Sequence, residues 1–328
     1  VKLPYREAWE AISLAAIVFV LYAIGACRTI YVGDSGEFAA AVHLLGIPHP
    51  SGYPLYVLLG KLWTMLLPIG SVAYRLSLFS AACAAATCGT LYWLTRRWSV
   101  HPVAGASAAL LLAFSPSFWS QANVQRVYSL NALLVVMTTI AAFFWFRSRS
   151  PRPLVVGFFL CGLGACNHTF MAVYAVALLV FVLVSEPSLW SLRRRSRSLL
   201  LAGGAFVAGL LPYLFLPLRS RADPRLDWGN PETVGNLLKV VTRQEFWQRA
   251  WIEGPADLLP IVADYVMSLG AELFWLGAAC AVVGVVVGRR HGWPVSLPLL
   301  VMAANLATVG LHGSRTDIFI WHRYYLPS

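Results

Sequence analysis

The sequence predicts an all-α integral membrane protein with many helical spans, and three observations carry that prediction. Of 328 residues, 59% are hydrophobic and only 12% are charged, against about 25% charged in a soluble domain; the mean hydropathy is +0.67. The apolar residues fall in separated runs, each near the length that crosses a bilayer as a helix. The arginines cluster in the short links between alternate runs, as cytoplasmic loops do.

The elements follow in order. Val1 to Glu10 is polar and mixed in charge, and the run Ala11 to Cys27 after it has no small-residue cleavage site. It reads as a retained first span, not a signal peptide. Nine spans are expected, near 11–27, 72–94, 102–115, 127–146, 153–167, 169–185, 199–217, 258–287 and 294–311. Tyr53 to Leu67 is interrupted by Lys61 and bounded by Pro54 and Pro68, so it reads as an interfacial or re-entrant segment. The whole chain, 1–328, is one transmembrane domain on this reading, with a first outer loop near 28–71 and a long outer loop near 218–257. In that long loop a helical stretch is expected near Thr233 to Trp251. His322 to Ser328 reads as the start of another helix, so the natural protein is expected to extend further.

Nine spans divide the loops into two sets. The N-terminus, Arg96-Arg97, Arg147 to Arg152, Arg193 to Arg197 and Arg289-Arg290 hold 13 of the 25 Lys and Arg, with only Glu7, Glu10 and Glu186 as acids. Short basic loops stay cytoplasmic. The formal charge of +11 is then a topology signal that calls for no nucleic-acid partner, although Arg193 to Arg197 could touch anionic membrane lipid. The six cysteines, at 27, 83, 88, 161, 166 and 280, lie in or beside apolar runs without a C-x-x-C pair. They read as small packing residues.

The opposite set of loops carries nearly all the acids and the unusual Trp, His, Asn and Pro, so function is expected there. In the first outer loop Asp34 and Glu37 stand three apart. If Ser35 starts a helix, Asp34 is its N-cap and Glu37 lies in its first turn, where the dipole favours carboxylates. Plain capping is one reading; a carboxylate held at the membrane surface as a general base is the other. Asn caps nearly as well as Asp, so Asp34→Asn is expected to cost little stability. Gly46 to Pro54 contains three prolines and two glycines in nine residues and imposes a fixed, non-helical path around His49 and Tyr53.

Four blocks in order give these residues a family. They are Asp34-Ser35-Gly36-Glu37-Phe38 with Leu45 to Pro50 and Gly52 to Tyr56; Phe118 to Ala122 with Val127 to Leu133; Gly162-Leu163-Gly164 with Asn167-His168-Thr169; and Gly209 to Arg219 with Asp227 to Pro231. Over about two hundred residues they resemble a membrane-protein family long catalogued as of unknown function. It includes the animal endoplasmic-reticulum O-mannosyltransferase that modifies plexin-type receptor domains. The resemblance implies a GT-C glycosyltransferase fold, with interfacial helices in the first outer loop. It implies transfer of a hexose, mannose above all, from a polyprenyl- or dolichyl-phosphate donor to a hydroxyl, protein Ser/Thr above all. The active site would lie on the extracytoplasmic or lumenal face of a bacterial inner membrane or the endoplasmic reticulum.

In that frame Asp34 resembles the base, and Glu37 orients the loop or the acceptor. His49, Tyr53, Asp227 and Trp228 are candidates for acceptor or sugar contact; Asp227 to Pro231 could instead cap the following helix. Arg219 and Arg221 either snorkel to the interface or hold the lipid phosphate. Arg323, in a run that resembles the Arg-Tyr-x-Leu-Pro start of a late GT-C helix, is a further phosphate candidate. His168 either caps a helix or faces the donor. An acid usually precedes the Val-Tyr of the second block, but here that place holds Arg126. No cofactor beyond the lipid-linked sugar is expected. A divalent metal, if used, would find Asp34 and Glu37, with His49 nearby. The alternatives are a glycan or lipid acceptor and, in a different class, a transporter or flippase built around Asp264 and Glu272, or a non-catalytic scaffold.

Overall fold

The computed structural model describes residues 4–186, 192–249, 254, 256, 258–312 and 326. Arg323 and Trp251 lie outside them, as do the side chains of Arg193 to Arg195.

The described chain is a bundle of α-helices. α1 (Pro4–Gly25) is followed by two short helices of the first outer loop, α2 (Ser35–Leu44) and α3 (Pro54–Leu66). Then come α4 (Val72–Arg97), α5 (Pro102–Phe114), α6 (Pro116–Ala122), α7 (Tyr128–Ser148), α8 (Pro151–Ala165), α9 (Phe170–Ser185) and α10 (Leu192–Gly209). A 3-10 turn at Leu211–Leu214 leads to α11 (Phe215–Ser220) and α12 (Val234–Val241), and a second at Gln244–Arg249 precedes α13 (Leu258–Leu273), α14 (Leu276–Arg290) and α15 (Ser296–His312).

Four segments are long and apolar enough to cross a membrane by themselves: Tyr5–Gly25, Val72–Arg97, Tyr128–Ser148 and Arg197–Ser220. α5 with α6 and α13 with α14 pass the same test as bent pairs, while α8, α9 and the Ser296–Val309 part of α15 are shorter apolar helices. The helix expected at 102–115 is α5, Pro102–Phe114; the chain then turns by 67° into α6. One expected span is corrected. The 258–287 span is two helices bent by 103°, with Phe274 and Trp275 at positive φ between them. The helical stretch expected from Thr233 is likewise divided. Thr233 Oγ1 accepts from Asn236 N–H to cap α12, and Arg243, at φ 57°, separates α12 from the 3-10 turn.

The core lies along α4, α7, α8 and α9, where Phe79, Trp145, Tyr174, Leu178 and Phe181 are buried. Gly162 and Gly209 let the backbones of α8 and α10 meet, the close approach that small residues allow between membrane helices. Outward-facing Ile12, Ile17 and Ile24 of α1, Leu200 of α10 and Val282 and Val283 of α14 are exposed. Exposed apolar side chains on helices of this length suit lipid. Cys83, Cys88, Cys161 and Cys166 are buried among the helices, whereas Cys280 is exposed.

α4 separates two chemically distinct ends by about 39 Å, at 1.5 Å per residue. At its start, Ser71 Oγ accepts from Tyr74 N–H and donates to the Arg28 carbonyl of the first outer loop, both at 3.1 Å. At its finish, Arg96 and Arg97 meet Glu10 and Glu7 of α1 at 3.4 and 3.6 Å, and Arg147 lies over the Trp98 ring. The start of α1, Arg96-Arg97 and Arg147 therefore meet at one end of α4, and the 28–71 loop is tied to the other.

Candidate active site

Asp34 occupies the N-cap position of α2, as its spacing predicts, but its side chain makes no capping bond. Its carboxylate meets Arg126 Nη1 in an ion pair instead. Arg126 is only 4% exposed, whereas the Asp34 side chain is 39% exposed. A guanidinium buried this deeply needs acceptors, and Arg126 Nη2 also donates to the Val32 carbonyl at 2.7 Å. Gly33, at φ +73°, makes the approach possible, because a Cβ there would lie 2.5 Å from Arg126 Nη2. The neighbouring Gln125 fixes the same loop. Its fully buried side chain accepts from Tyr31 N–H at 3.2 Å and donates to the Thr29 carbonyl at 3.0 Å and to Ser77 Oγ at 2.7 Å.

One turn further on, Glu37 does something different. Its two oxygens take the His49 backbone N–H and ring Nδ1, both at 2.7 Å. Those bonds close the proline-rich loop back onto α2. An ionised carboxylate only accepts hydrogen bonds, so Nδ1 carries the proton and a neutral ring presents Nε2 as an acceptor. Nε2 meets the Tyr53 hydroxyl at 3.1 Å. Tyr53 is held in place by its own backbone, at φ 44° ahead of Pro54 and α3, and by Phe38, whose ring stands edge-on at 5.1 Å.

The long outer loop reaches this cluster through the backbone. Ile47 N–H donates to the Leu226 carbonyl at 2.7 Å, and Trp228 N–H donates to the Ile47 carbonyl at 3.1 Å. Gly46 permits the crossing, since a Cβ there would sit 2.8 Å from the Leu226 backbone oxygen. The bridge carries Trp228 to 6.2 Å from His49 between ring centroids, with Phe246 on the same imidazole at 6.3 Å. Trp228 Nε1 donates to Glu245 at 2.9 Å, and Arg243 lies 5.1 Å from the Phe246 ring centroid. Beside the cluster is a cavity of about 340 Å³ lined by Pro50, Lys239, Val240, Gln244 and Glu245.

Asp34, Glu37, His49, Tyr53 and Trp228 thus belong to one end of the bundle, and the last four share contacts. The other candidates have different surroundings. Arg219 donates from Nε to the Leu45 carbonyl at 2.8 Å and from Nη2 to the Leu44 carbonyl at 3.1 Å, closing the C-terminal end of α2. Arg221 is exposed at the end of α11. His168 is buried and its Nδ1 accepts from Phe170 N–H at 3.3 Å, a capping contact at the start of α9. Asp227 Oδ2 accepts from Ser220 Oγ at 2.7 Å, while its Oδ1 is buried without a hydrogen-bond partner. Glu272 is engaged by Ser117 N–H and Oγ at the start of α6, a structural use for one of the two acids on which a transporter would depend. Glu245, Phe246 and Arg243 carry no local motif and come to the cluster only through the Ile47–Trp228 crossing. Arg126 is visible in the sequence as an unexpected basic residue, but its partner is not. Among the described residues no group of three or more His, Cys, Asp or Glu side chains is placed to hold a metal ion.

Residues 34–191 match the family model described as the Protein O-mannosyl-transferase TMEM260 N-terminal domain. The Protein O-mannosyl-transferase TMEM260 of Mus musculus is 32% identical over 283 residues, covering 83% of this chain and 39% of the mouse protein. That of Dictyostelium discoideum is 24% identical over 286 residues, covering 81% of this chain and 34% of its own length. The chain therefore spans between a third and two-fifths of the length of these relatives. No solved structure matches it. By the matched family model, which begins at Asp34 itself, and by these two relatives, the chain belongs to the TMEM260 protein O-mannosyl-transferase family.

Proposed function

We propose that this chain is the membrane part of a GT-C protein O-mannosyltransferase. It would move mannose from a polyprenyl- or dolichyl-phosphate donor to a Ser/Thr hydroxyl on the extracytoplasmic or lumenal face. The observation that carries the reading is the convergence, at one end of the bundle, of a partly exposed Asp34 with the Glu37–His49–Tyr53 chain and the Trp228 ring. The relatives' names support the sugar and the acceptor class.

In the proposed reaction the acceptor oxygen attacks the anomeric carbon, and its proton passes to Asp34. The bond from that carbon to the phosphate oxygen breaks, and the electron pair leaves on the lipid phosphate. Arg126 is engaged with Asp34 and Val32, so its part is to hold the base in position. The leaving phosphate has Arg221 and Arg243 within the same outer region as candidate cations, and charge-assisted hydrogen bonds from arginine suit a phosphate. Glu37 orients His49, and the indole of Trp228 offers an apolar face to a sugar ring or acceptor chain.

The test is transfer by the purified chain to a Ser/Thr-containing peptide, from dolichyl-phosphate mannose and separately from GDP-mannose. Transfer from the lipid-linked donor alone is expected. Use of GDP-mannose, or transfer only to a glycan or lipid, would break the reading.

A further inference from the structure

The end of the bundle opposite Asp34 holds a second concave site. Arg97 and Trp98 from the end of α4, Phe146 and Arg147 from the last turn of α7, and His291 and Trp293 after α14 line a cavity of about 590 Å³. We propose that it binds the phosphate of an anionic membrane-lipid headgroup.

Arginine is expected where helices end, because the C-terminal dipole favours cations. That accounts for Arg96, whose Nη1 donates to the Val100 carbonyl at 2.8 Å. The same dipole reaches Arg147 in the last turn of α7, but it does not use the donors of that guanidinium. The guanidinium lies 5.7 Å from the Trp98 ring centroid, and among the described residues no carboxylate or carbonyl accepts from it. Arg97 is held by Glu7 only at 3.6 Å and is 44% exposed. His291 Nδ1 donates to the Val287 carbonyl at 2.9 Å, which fixes the ring at the edge of the hollow. Two guanidinium forks with donors to offer, around a hollow of ligand size, match the planar recognition of phosphate oxygens. Trp98 and Trp293 meet edge-on at 6.3 Å, and tryptophan settles at headgroup depth in a bilayer. A basic hollow between membrane helices at that depth suits a lipid phosphate.

The probes are dioctanoyl phosphatidylglycerol, dioctanoyl phosphatidylcholine and inorganic phosphate, each titrated against the purified chain in neutral detergent and read by native mass spectrometry. Phosphatidylglycerol should bind about tenfold tighter than phosphatidylcholine. Arg147→Gln and Arg97→Gln should each weaken it about tenfold, as loss of one charge-assisted contact does. Arg147→Lys should recover part of the loss, and Arg152→Gln, an exposed arginine on α8 outside the cavity, should change nothing. Thermal unfolding confirms that each variant is folded; both glutamine variants replace exposed side chains. Displacement of phosphatidylglycerol by equimolar inorganic phosphate would keep the phosphate chemistry but move its source to the water. Equal binding of the two lipids, or undiminished binding in both glutamine variants, would overturn the proposal.

Discussion

Asp34 and Glu37 stand one helical turn apart at the start of the same helix, and their surroundings share almost nothing. Asp34 faces Arg126, a cation 92 residues away in sequence that is buried and holds the preceding loop as well. Glu37 faces His49, which passes the contact on to Tyr53. An arginine keeps its proton, so Arg126 is a fixed cation that holds Asp34 in place. His49 has two ring nitrogens, one on Glu37 and one on Tyr53, so the second contact orients a chain of side chains. Identical chemistry at neighbouring positions is thus divided by tertiary partners into a held carboxylate and an orienting one, and that division is what mutation can test.

The largest effect is expected at Asp34. If it is the base, Asp34→Asn should lower mannosyl transfer by about 10²–10⁴-fold. The structure corrects the expectation that stability stays unchanged, because the side chain does not cap α2. Asparagine would leave Arg126 buried beside a neutral partner. Breaking a fully buried pair costs about 3–5 kcal/mol; with Asp34 39% exposed, about 1–3 kcal/mol is the discounted range. The double variant Asp34→Asn/Arg126→Met should regain stability without regaining transfer. Recovery of both together would make the pair purely structural and remove the base from this position.

Glu37→Gln comes next. Its amide can still accept from the His49 backbone N–H, but the ring loses its carboxylate. A fall of about tenfold in kcat is expected, with the donor KM unchanged, in keeping with an orienting role. A loss as deep as that of Asp34→Asn would reverse the two assignments and make the Glu37–His49 pair the proton acceptor. Third in order is Gly46→Ala. The added methyl meets Leu226 and should part the crossing that brings Trp228 to His49. Acceptor KM should rise severalfold, and Trp228→Ala should produce the same rise without a loss of thermal stability. If Gly46→Ala alters transfer while Trp228→Ala does not, the crossing matters for something other than the indole.

Much of this organisation is legible in the sequence, and the boundary of legibility is physical. The start of α2 at Ser35 follows from the run Asp34-Ser35-Gly36-Glu37, and the rigid path around His49 follows from its prolines, because both are local effects. The capping reading of His168 is local too. What sequence spacing cannot supply is the partner. Asp34 has the geometry of a cap, yet a buried guanidinium outcompetes a backbone N–H for its carboxylate, because the uncompensated charge is the more costly of the two. The break at Phe274–Trp275 is equally hidden, since neither residue is a helix breaker by itself. The Glu37–His49 bond spans 12 residues and the Trp228–Glu245 bond 17. Each depends on a loop folding back, and the Ile47–Trp228 crossing and the Arg219 bonds to Leu44 and Leu45 bring the two loops together.

The smallest effect on transfer should come from Arg219, which touches neither carboxylate but closes the helix that carries both. Its Nε and Nη2 take the Leu45 and Leu44 carbonyls, acceptors that the last turn of α2 leaves without helical partners. Arg219→Gln should therefore lower thermal stability, by about 1–3 kcal/mol for lost charged hydrogen bonds, and leave the donor KM within twofold of the parent. Lysine would keep the charge but cannot reproduce the two-nitrogen fork, so Arg219→Lys should recover only part of the stability. The competing expectation from sequence is that Arg219 grips the lipid phosphate. In that case Arg219→Gln would raise the donor KM about tenfold or more, and Arg219→Lys would restore it, because a phosphate also accepts a point charge. Measuring donor KM and unfolding temperature on the same two variants separates the roles: a change in stability alone assigns Arg219 to the end of α2, and a change in donor KM alone returns it to the phosphate.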